Sequence, residues 1–174
     1  MNMKQKSPDK FSLVVGSGAM VFQEQKVNGE KAMQSGMGQQ QVFTEGPEFE
    51  AMKGQAVIFP QINYLTESYE INLKGVENVE GMQCYKINIK EEGGKSSTEY
   101  YGLENGLLVR SITTQEAMGQ KVTVTTDFCD YSETDGISFP GLTKISGAMP
   151  MTIEMKVEEI IVNGEIADEV FEIE

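Results

Sequence analysis

The sequence predicts a mainly β protein whose curved antiparallel sheet forms an incomplete barrel, with one or two short helices that cover the concave face. Three observations predict this fold. About ten strand-like runs follow one another at roughly 8-to-12-residue spacing. Turn pairs such as Asn28-Gly29 and Asn105-Gly106 separate them, which favours hairpins over βαβ units. Residues 44–66 alone break the strand pattern.

The N-terminal part is predicted to contain a lead and short strands. Residues 1–10 are polar, and we expect a disordered lead there. Four β-prone runs follow, at 11–15, 19–27, 31–35 and 39–43.

Residues 44–66 are predicted to form one or two short helices. Thr44 or Gly46 can cap a helix with Pro47 in its first turn, where proline loses no hydrogen bond. Pro60 interrupts the segment, which predicts a second short element after it.

The remaining chain is predicted to be a meander of longer strands. Apolar residues alternate at Tyr85, Ile87 and Ile89, and again at Val122, Val124 and Phe128. Each set therefore lies on one face of its strand. An apolar sheet face needs cover, and the helices of 44–66 are the candidates for it.

Composition and charge exclude several classes of function. The chain has 14 Lys and Arg against 27 Asp and Glu, a formal net charge of −13. This charge repels nucleic-acid phosphates and anionic membranes, so we expect no nucleic-acid partner. The chain has no His, which excludes Ser-His-Asp triads, Cys-His pairs and HExxH zinc sites. We expect no metal, no cofactor and no catalytic residues.

The stretch DFCDYSETDGISFP, residues 127–140, is the most acidic candidate site. Its four carboxylates, Asp127, Asp130, Glu133 and Asp135, suggest Ca²⁺, but their spacing fits no EF-hand loop. Asp135-Gly136 is a typical turn pair between two strands. We interpret the stretch as a turn.

The two cysteines are predicted to be free thiols. Cys84 and Cys129 lie on strands that the meander keeps apart, beyond the reach of a disulfide. Alternation places each on the more polar face of its strand.

Residues 69–174 carry two longer motifs. Asp130, Tyr131, Asp135, Gly136 and Pro140 form a D-Y-x-x-x-D-G-x-x-x-P turn, and an N-x-x-I-x-D-x-x-F ending follows at Asn163, Ile166, Asp168 and Phe171. Both resemble the LolA-like family of lipoprotein-carrier and lipoprotein-sorting proteins. The resemblance implies an incomplete barrel whose apolar concave face binds acyl chains beneath a helical lid. It also implies the bacterial periplasm or envelope, and a single domain at 11–174 within a longer exported protein.

The resemblance implies a ligand cavity lined by residues of the lid and of the strands. The candidates in the lid are Phe49, Met52, Val57, Ile58, Phe59 and Ile62; those in the strands are Tyr85, Ile87, Ile89, Val122, Val124 and Phe128. The alternative is that these same residues pack a closed core.

The segments FPQINY and STEYYGLENGLLVR also resemble a domain that accompanies insulinase-like (M16) zinc peptidases. The HxxEH motif of those peptidases is absent, since the chain has no His. Any protease activity would reside in another domain or a neighbouring chain. Our first hypothesis is a non-catalytic module that binds a lipid or hydrophobic segment. The second is an accessory domain of such a protease, and the third is an enzyme that uses only carboxylates.

Overall fold

Antiparallel strands form two separate sheets in the computed structural model, which describes residues 1–92, 95–117, 120–147 and 150–174. The chain divides into two compact units. The first comprises Met1–Ile62 and Gly164–Glu174, and the second comprises Asn63–Asn163. The predicted mainly antiparallel β architecture with short helices is confirmed.

The first unit contains a five-stranded sheet in which each strand pairs with its neighbours in the sequence. Its strands are β1 (Asn2–Lys6), β2 (Lys10–Ser17), β3 (Met20–Asn28), β4 (Ala32–Gly36) and β5 (Gln39–Phe43). The predicted Asn28-Gly29 turn joins β3 to β4. Gly29 has a φ of 91°, and the Asn28 side-chain oxygen accepts hydrogen bonds from the backbone N–H groups of Glu30 and Lys31.

The expectation of a disordered lead is wrong for Asn2–Lys6, because these residues pair with β2 over their whole length. The Lys6 ammonium also lies 2.7 Å from the Asp168 carboxylate, and the Lys10 ammonium lies 3.0 Å from it. The backbone hydrogen bonds to β2 order this edge strand without a requirement for apolar side chains.

Helix α1 (Pro47–Gln55) packs on the five-stranded sheet. It begins after Gly46 with Pro47 in its first turn, as predicted. Phe49, Met52 and Ala56 are buried against the sheet residues Phe11, Val27 and Ala32. The C-terminal 3-10 helix (Asp168–Phe171) returns to the same unit and lies against β2 and β3, with Phe171 buried.

The second unit contains a seven-stranded sheet. A 3-10 helix (Pro60–Leu65) begins in the first unit and ends in the second. The strands are β6 (Tyr69–Val79), β7 (Met82–Glu91), β8 (Ser96–Gly102), β9 (Leu108–Ala117), β10 (Gln120–Thr134), β11 (Ile137–Ser146) and β12 (Ile153–Lys156). They pair in sequence order, with β6 and β12 at the edges, so the sheet does not close into a barrel.

The acidic stretch at 127–140 is a tight hairpin, which confirms the turn interpretation. Thr134 pairs directly with Ile137, and only Asp135 and Gly136 lie between the strands. Both have positive φ, 50° and 79°, as a type I′ turn requires. Asp127 forms an ion pair with Arg110 on the neighbouring strand β9.

Candidate ligand-binding face of the seven-stranded sheet

One face of the seven-stranded sheet carries apolar residues around a buried carboxylate. Leu73 pairs with Ile87, and Ile87 pairs with Glu99. Paired residues lie on the same face, and every second residue of a strand returns to it. We call this surface the Glu99 face. By register it contains Tyr69, Ile71, Leu73, Val76, Tyr85, Ile87, Ile89, Glu91, Ser97, Glu99, Tyr101, Ser111, Thr113, Val122, Val124, Thr126 and Phe128.

The strand residues predicted from the sequence all lie on this face: Tyr85, Ile87, Ile89, Val122, Val124 and Phe128. Ile89 is buried, Tyr85 is exposed, and the other four are half-buried. Alternation along single strands therefore identified a shared surface. Their role in ligand binding stays a prediction.

The predicted lid residues belong to the first unit. Phe49 and Met52 are buried in the core of that unit, where they pack with α1 against β2, β3 and β4. Val57 is half-buried, whereas Ile58, Phe59 and Ile62 are exposed. The sequence therefore predicted the helix correctly, and the structure assigns two of its apolar residues to the core of the five-stranded sheet.

The edge of the Glu99 face at β6 and β7 exposes large apolar side chains. Leu73 is 63% exposed, Val76 49%, Ile71 41% and Tyr85 39%. Contiguous exposed apolar side chains on a sheet commonly mark a binding surface. This edge is therefore the part of the face where a hydrophobic ligand has room to bind.

Glu99 occupies the middle of the face and is 5% exposed. The Tyr64 hydroxyl donates a hydrogen bond of 2.8 Å to one carboxylate oxygen, and the Tyr101 hydroxyl donates one of 2.5 Å to the other. Tyr101 follows Glu99 by two residues on β8, whereas Tyr64 comes from the 3-10 helix. Both oxygens of the buried carboxylate therefore have a hydroxyl partner.

A second tyrosine–carboxylate pair lies beside the first. Tyr69 and Glu91 pair directly across β6 and β7, and the Tyr69 hydroxyl lies 3.5 Å from a Glu91 carboxylate oxygen. The rings of Tyr64 and Tyr69 are 5.3 Å apart between centroids, with an angle of 53° between their planes. The three tyrosines and two glutamates, Tyr64, Tyr69, Glu91, Glu99 and Tyr101, form a cluster that we call the tyrosine–glutamate cluster.

The hydroxyls of this cluster act as hydrogen-bond donors. Burial raises the pKa of Tyr64 and Tyr101 well above the usual tyrosine value, and the neighbouring Glu99 carboxylate raises it further. Burial and the Glu91 carboxylate raise the pKa of Tyr69 in the same way. All three phenols therefore stay protonated near neutral pH.

The opposite face of the sheet is more polar but contains its own small core. Cys84 lies on this more polar face, as predicted, and is fully buried there with Val79 and Tyr100. Both cysteines are free thiols, and burial raises the pKa of each. A shallow cavity of about 280 Å³, lined mainly by polar residues of this opposite face, includes Ile89 but no other predicted site residue.

Sequence reasoning missed the tyrosine–glutamate cluster. Glu99 alternates with Ser97 and Tyr101, so the sequence alone could have indicated an acidic residue on this face of β8. The sequence could not have indicated its partner Tyr64, which is 35 residues away in a separate element.

Comparison with known proteins supports the fold. No protein-family model matches the chain, and no curated protein matches it. A LolA superfamily protein from Nitrosomonas europaea is similar in structure, with a TM-score of 0.58 and 11% identity over 97% of this chain and 78% of that one. A DUF1329 family protein from Desulfovibrio piger has a TM-score of 0.56 and 14% identity, over 94% and 80%. These similarities show that the chain has a LolA-like fold.

Within the described residues, no helix is both long and apolar enough to cross a membrane.

Proposed function

We propose that this chain is a non-catalytic domain of the bacterial envelope that binds a lipid acyl chain or another hydrophobic segment on the Glu99 face. The observation that carries the proposal is the exposed apolar edge of that face at Ile71, Leu73, Val76 and Tyr85. The LolA-like fold supports an envelope location, since a similar structure is that of a LolA superfamily protein.

The physical basis of binding is the removal of apolar surface from water. Each methylene that a ligand buries contributes about 0.8 kcal/mol, so about ten methylenes contribute about 8 kcal/mol before the cost of association. Micromolar dissociation constants correspond to a net gain of about 8 kcal/mol. A chain of about 16 methylenes, whose full burial contributes about 13 kcal/mol, reaches that range when association costs about 5 kcal/mol.

The first test is native mass spectrometry of the protein purified from cells, followed by organic extraction and lipid analysis. The proposal expects a stoichiometric adduct that yields acyl chains on extraction. In a second measurement, the uncharged dye Nile red is titrated into the delipidated protein and displaced with dodecanol.

A matched pair of variants locates the binding surface. Leu73→Asn removes an exposed apolar side chain from the Glu99 face, and Val42→Asn removes one, 44% exposed, from strand β5 of the first unit. We expect Leu73→Asn to weaken Nile red binding about fivefold to tenfold and Val42→Asn to leave it unchanged. A native mass without any adduct, together with no dye binding, contradicts the proposal. The accessory-domain hypothesis, which rests on sequence resemblance, then becomes the preferred one.

A further inference from the structure

We propose that the tyrosine–glutamate cluster binds an ammonium group, so that the hydrophobic ligand of the Glu99 face is one with a cationic head. This inference rests on the proposed function for the tail of the ligand, and on the cluster alone for its head.

The negative charge of Glu99 has no cation beside it within the described residues. Its carboxylate is nearly fully buried, yet its partners are the two neutral hydroxyls of Tyr64 and Tyr101. Of the ion pairs that the described residues form, none includes Glu99 or Glu91. The two hydroxyls satisfy both carboxylate oxygens but leave the negative charge without a cation, and a ligand ammonium would supply one.

Two aromatic rings lie beside the carboxylates. Tyr64 and Tyr69 meet at 53° with centroids 5.3 Å apart, and their hydroxyls lie 2.8 Å from Glu99 and 3.5 Å from Glu91, so the rings form aromatic walls next to both glutamates. Such aromatic walls stabilise organic cations through the negative face of each ring. Because the Tyr64 hydroxyl donates to Glu99 and the Tyr69 hydroxyl lies 3.5 Å from Glu91, each carboxylate polarises the ring beside it and strengthens this attraction.

The cluster lies close to the apolar edge of the same face. Glu99 pairs with Ile87 and Ile87 pairs with Leu73, so two strand spacings, about 10 Å, separate Glu99 from Leu73. One amphiphile can therefore place its head at Glu99 and its chain across β7 and β6. The formal net charge of −13 further favours a cationic head over a fatty-acid carboxylate.

The test compares three amphiphiles with the same alkyl chain, below their micelle-forming concentrations, by isothermal titration of the delipidated full chain. They are dodecyltrimethylammonium, dodecanol and dodecanoate. We expect the cation to bind at least tenfold more tightly than the alcohol, and the alcohol more tightly than the carboxylate. Equal binding of the cation and the alcohol overturns the inference and leaves the proposed function standing.

Two variants distinguish the effect of the cluster on cation binding from the effect of the protein's overall negative charge. Glu99→Gln keeps the shape and the acceptor oxygen but removes the charge, and Glu104→Gln removes the same charge from an exposed position in the same unit. We expect Glu99→Gln to abolish the preference for the cation without changing dodecanol binding, and Glu104→Gln to retain it. A preference that survives in Glu99→Gln overturns the inference.

A second pair of measurements keeps the inference testable if Glu99→Gln does not fold. Tyr64→Leu removes one aromatic wall, and we expect about tenfold weaker binding of dodecyltrimethylammonium with unchanged binding of dodecanol. Tetramethylammonium, which has no chain, tests the cluster by itself. If tetramethylammonium binds the wild-type chain but not Tyr64→Leu, while neither dodecanol nor Nile red binds, the cluster is an ammonium site and the proposed function fails. If it does not bind and the variant leaves the cation preference intact, the inference fails.

Discussion

The two sheets differ in how they cover their apolar side chains. In the five-stranded sheet, α1 and the C-terminal 3-10 helix pack against β2, β3 and β4, and Phe11, Val27 and Phe171 are almost completely buried. On the Glu99 face of the seven-stranded sheet, Leu73 and Val76 are exposed and the most buried polar residue is a glutamate. The first sheet has the larger buried core, although Phe22 and Val42 of its strands are exposed, whereas the second sheet presents an apolar and acidic surface on its Glu99 face.

The largest expected effect tests this difference in packing directly. Phe171→Ala leaves a cavity at a fully buried site, and we expect the free energy of unfolding to fall by about 3–5 kcal/mol. Leu73→Ala removes an exposed side chain from the Glu99 face, so we expect a loss below about 1 kcal/mol. Urea denaturation measures both, and comparable losses would contradict the contrast between the two sheets.

A second prediction concerns polar pairs as a source of stability in the seven-stranded sheet. Arg110 pairs with Asp127, and its guanidinium lies 2.6 Å from the Glu80 carboxylate. Arg110→Met leaves the mostly buried Asp127 without a cation, and we expect a loss of about 1–3 kcal/mol.

The control for this prediction is Lys144→Met, which breaks an exposed pair of 3.6 Å with Glu154. We expect this change to cost less than about 0.5 kcal/mol in the same urea titration, because exposed ion pairs contribute little. If the two variants lose the same stability, the Arg110 pairs do not stabilise the sheet.

A third prediction compares a glycine from each unit. Gly136 in the β10–β11 turn has a φ of 79°, so Gly136→Ala should cost about 1 kcal/mol through backbone strain. Gly54 lies inside α1 with open space around its Cα, so Gly54→Ala should stabilise by about 0.5–1 kcal/mol. Thermal unfolding should show shifts of opposite sign; shifts of the same sign would show that one of these backbone assignments is wrong.

The smallest expected effect is a pH dependence in the first unit. Hydrogen bonds from Lys6 and Lys10 lower the pKa of the Asp168 carboxyl below its ordinary value of 3.8. A group whose folded-state pKa is lowered contributes stability above its unfolded pKa and loses that contribution as pH falls through the folded value. Asp168→Asn should therefore slightly lower the melting temperature at neutral pH, and the difference from wild type should shrink and vanish as the pH falls below 3.8 and through the lowered folded-state pKa. A constant difference across this range would mean that the ion pairs contribute nothing.

The sequence predicted the local elements well because their signals are short-range. The Asn28-Gly29 and Asp135-Gly136 turns, the helix after Pro47 and the alternation in β7 and β10 each depend on a few neighbouring residues. The lead was predicted wrongly at Asn2–Lys6, because pairing with β2 outweighs the polar composition of β1. The sequence placed Cys84 on the more polar face of its strand, but its burial was not predicted, because that burial depends on Val79 and Tyr100 from adjacent strands.

By itself, the sequence determined the antiparallel β class, the positions of its turns and the set of apolar residues that share the Glu99 face. Backbone propensity and period-2 alternation act within a strand, so they can be read without knowing its partners. Only the tertiary structure decided that the strands divide into two sheets, that Phe49 and Met52 pack in the first, and that Tyr64 reaches Glu99 in the second. These outcomes depend on strand register and on contacts between residues distant in the chain, which no local pattern encodes.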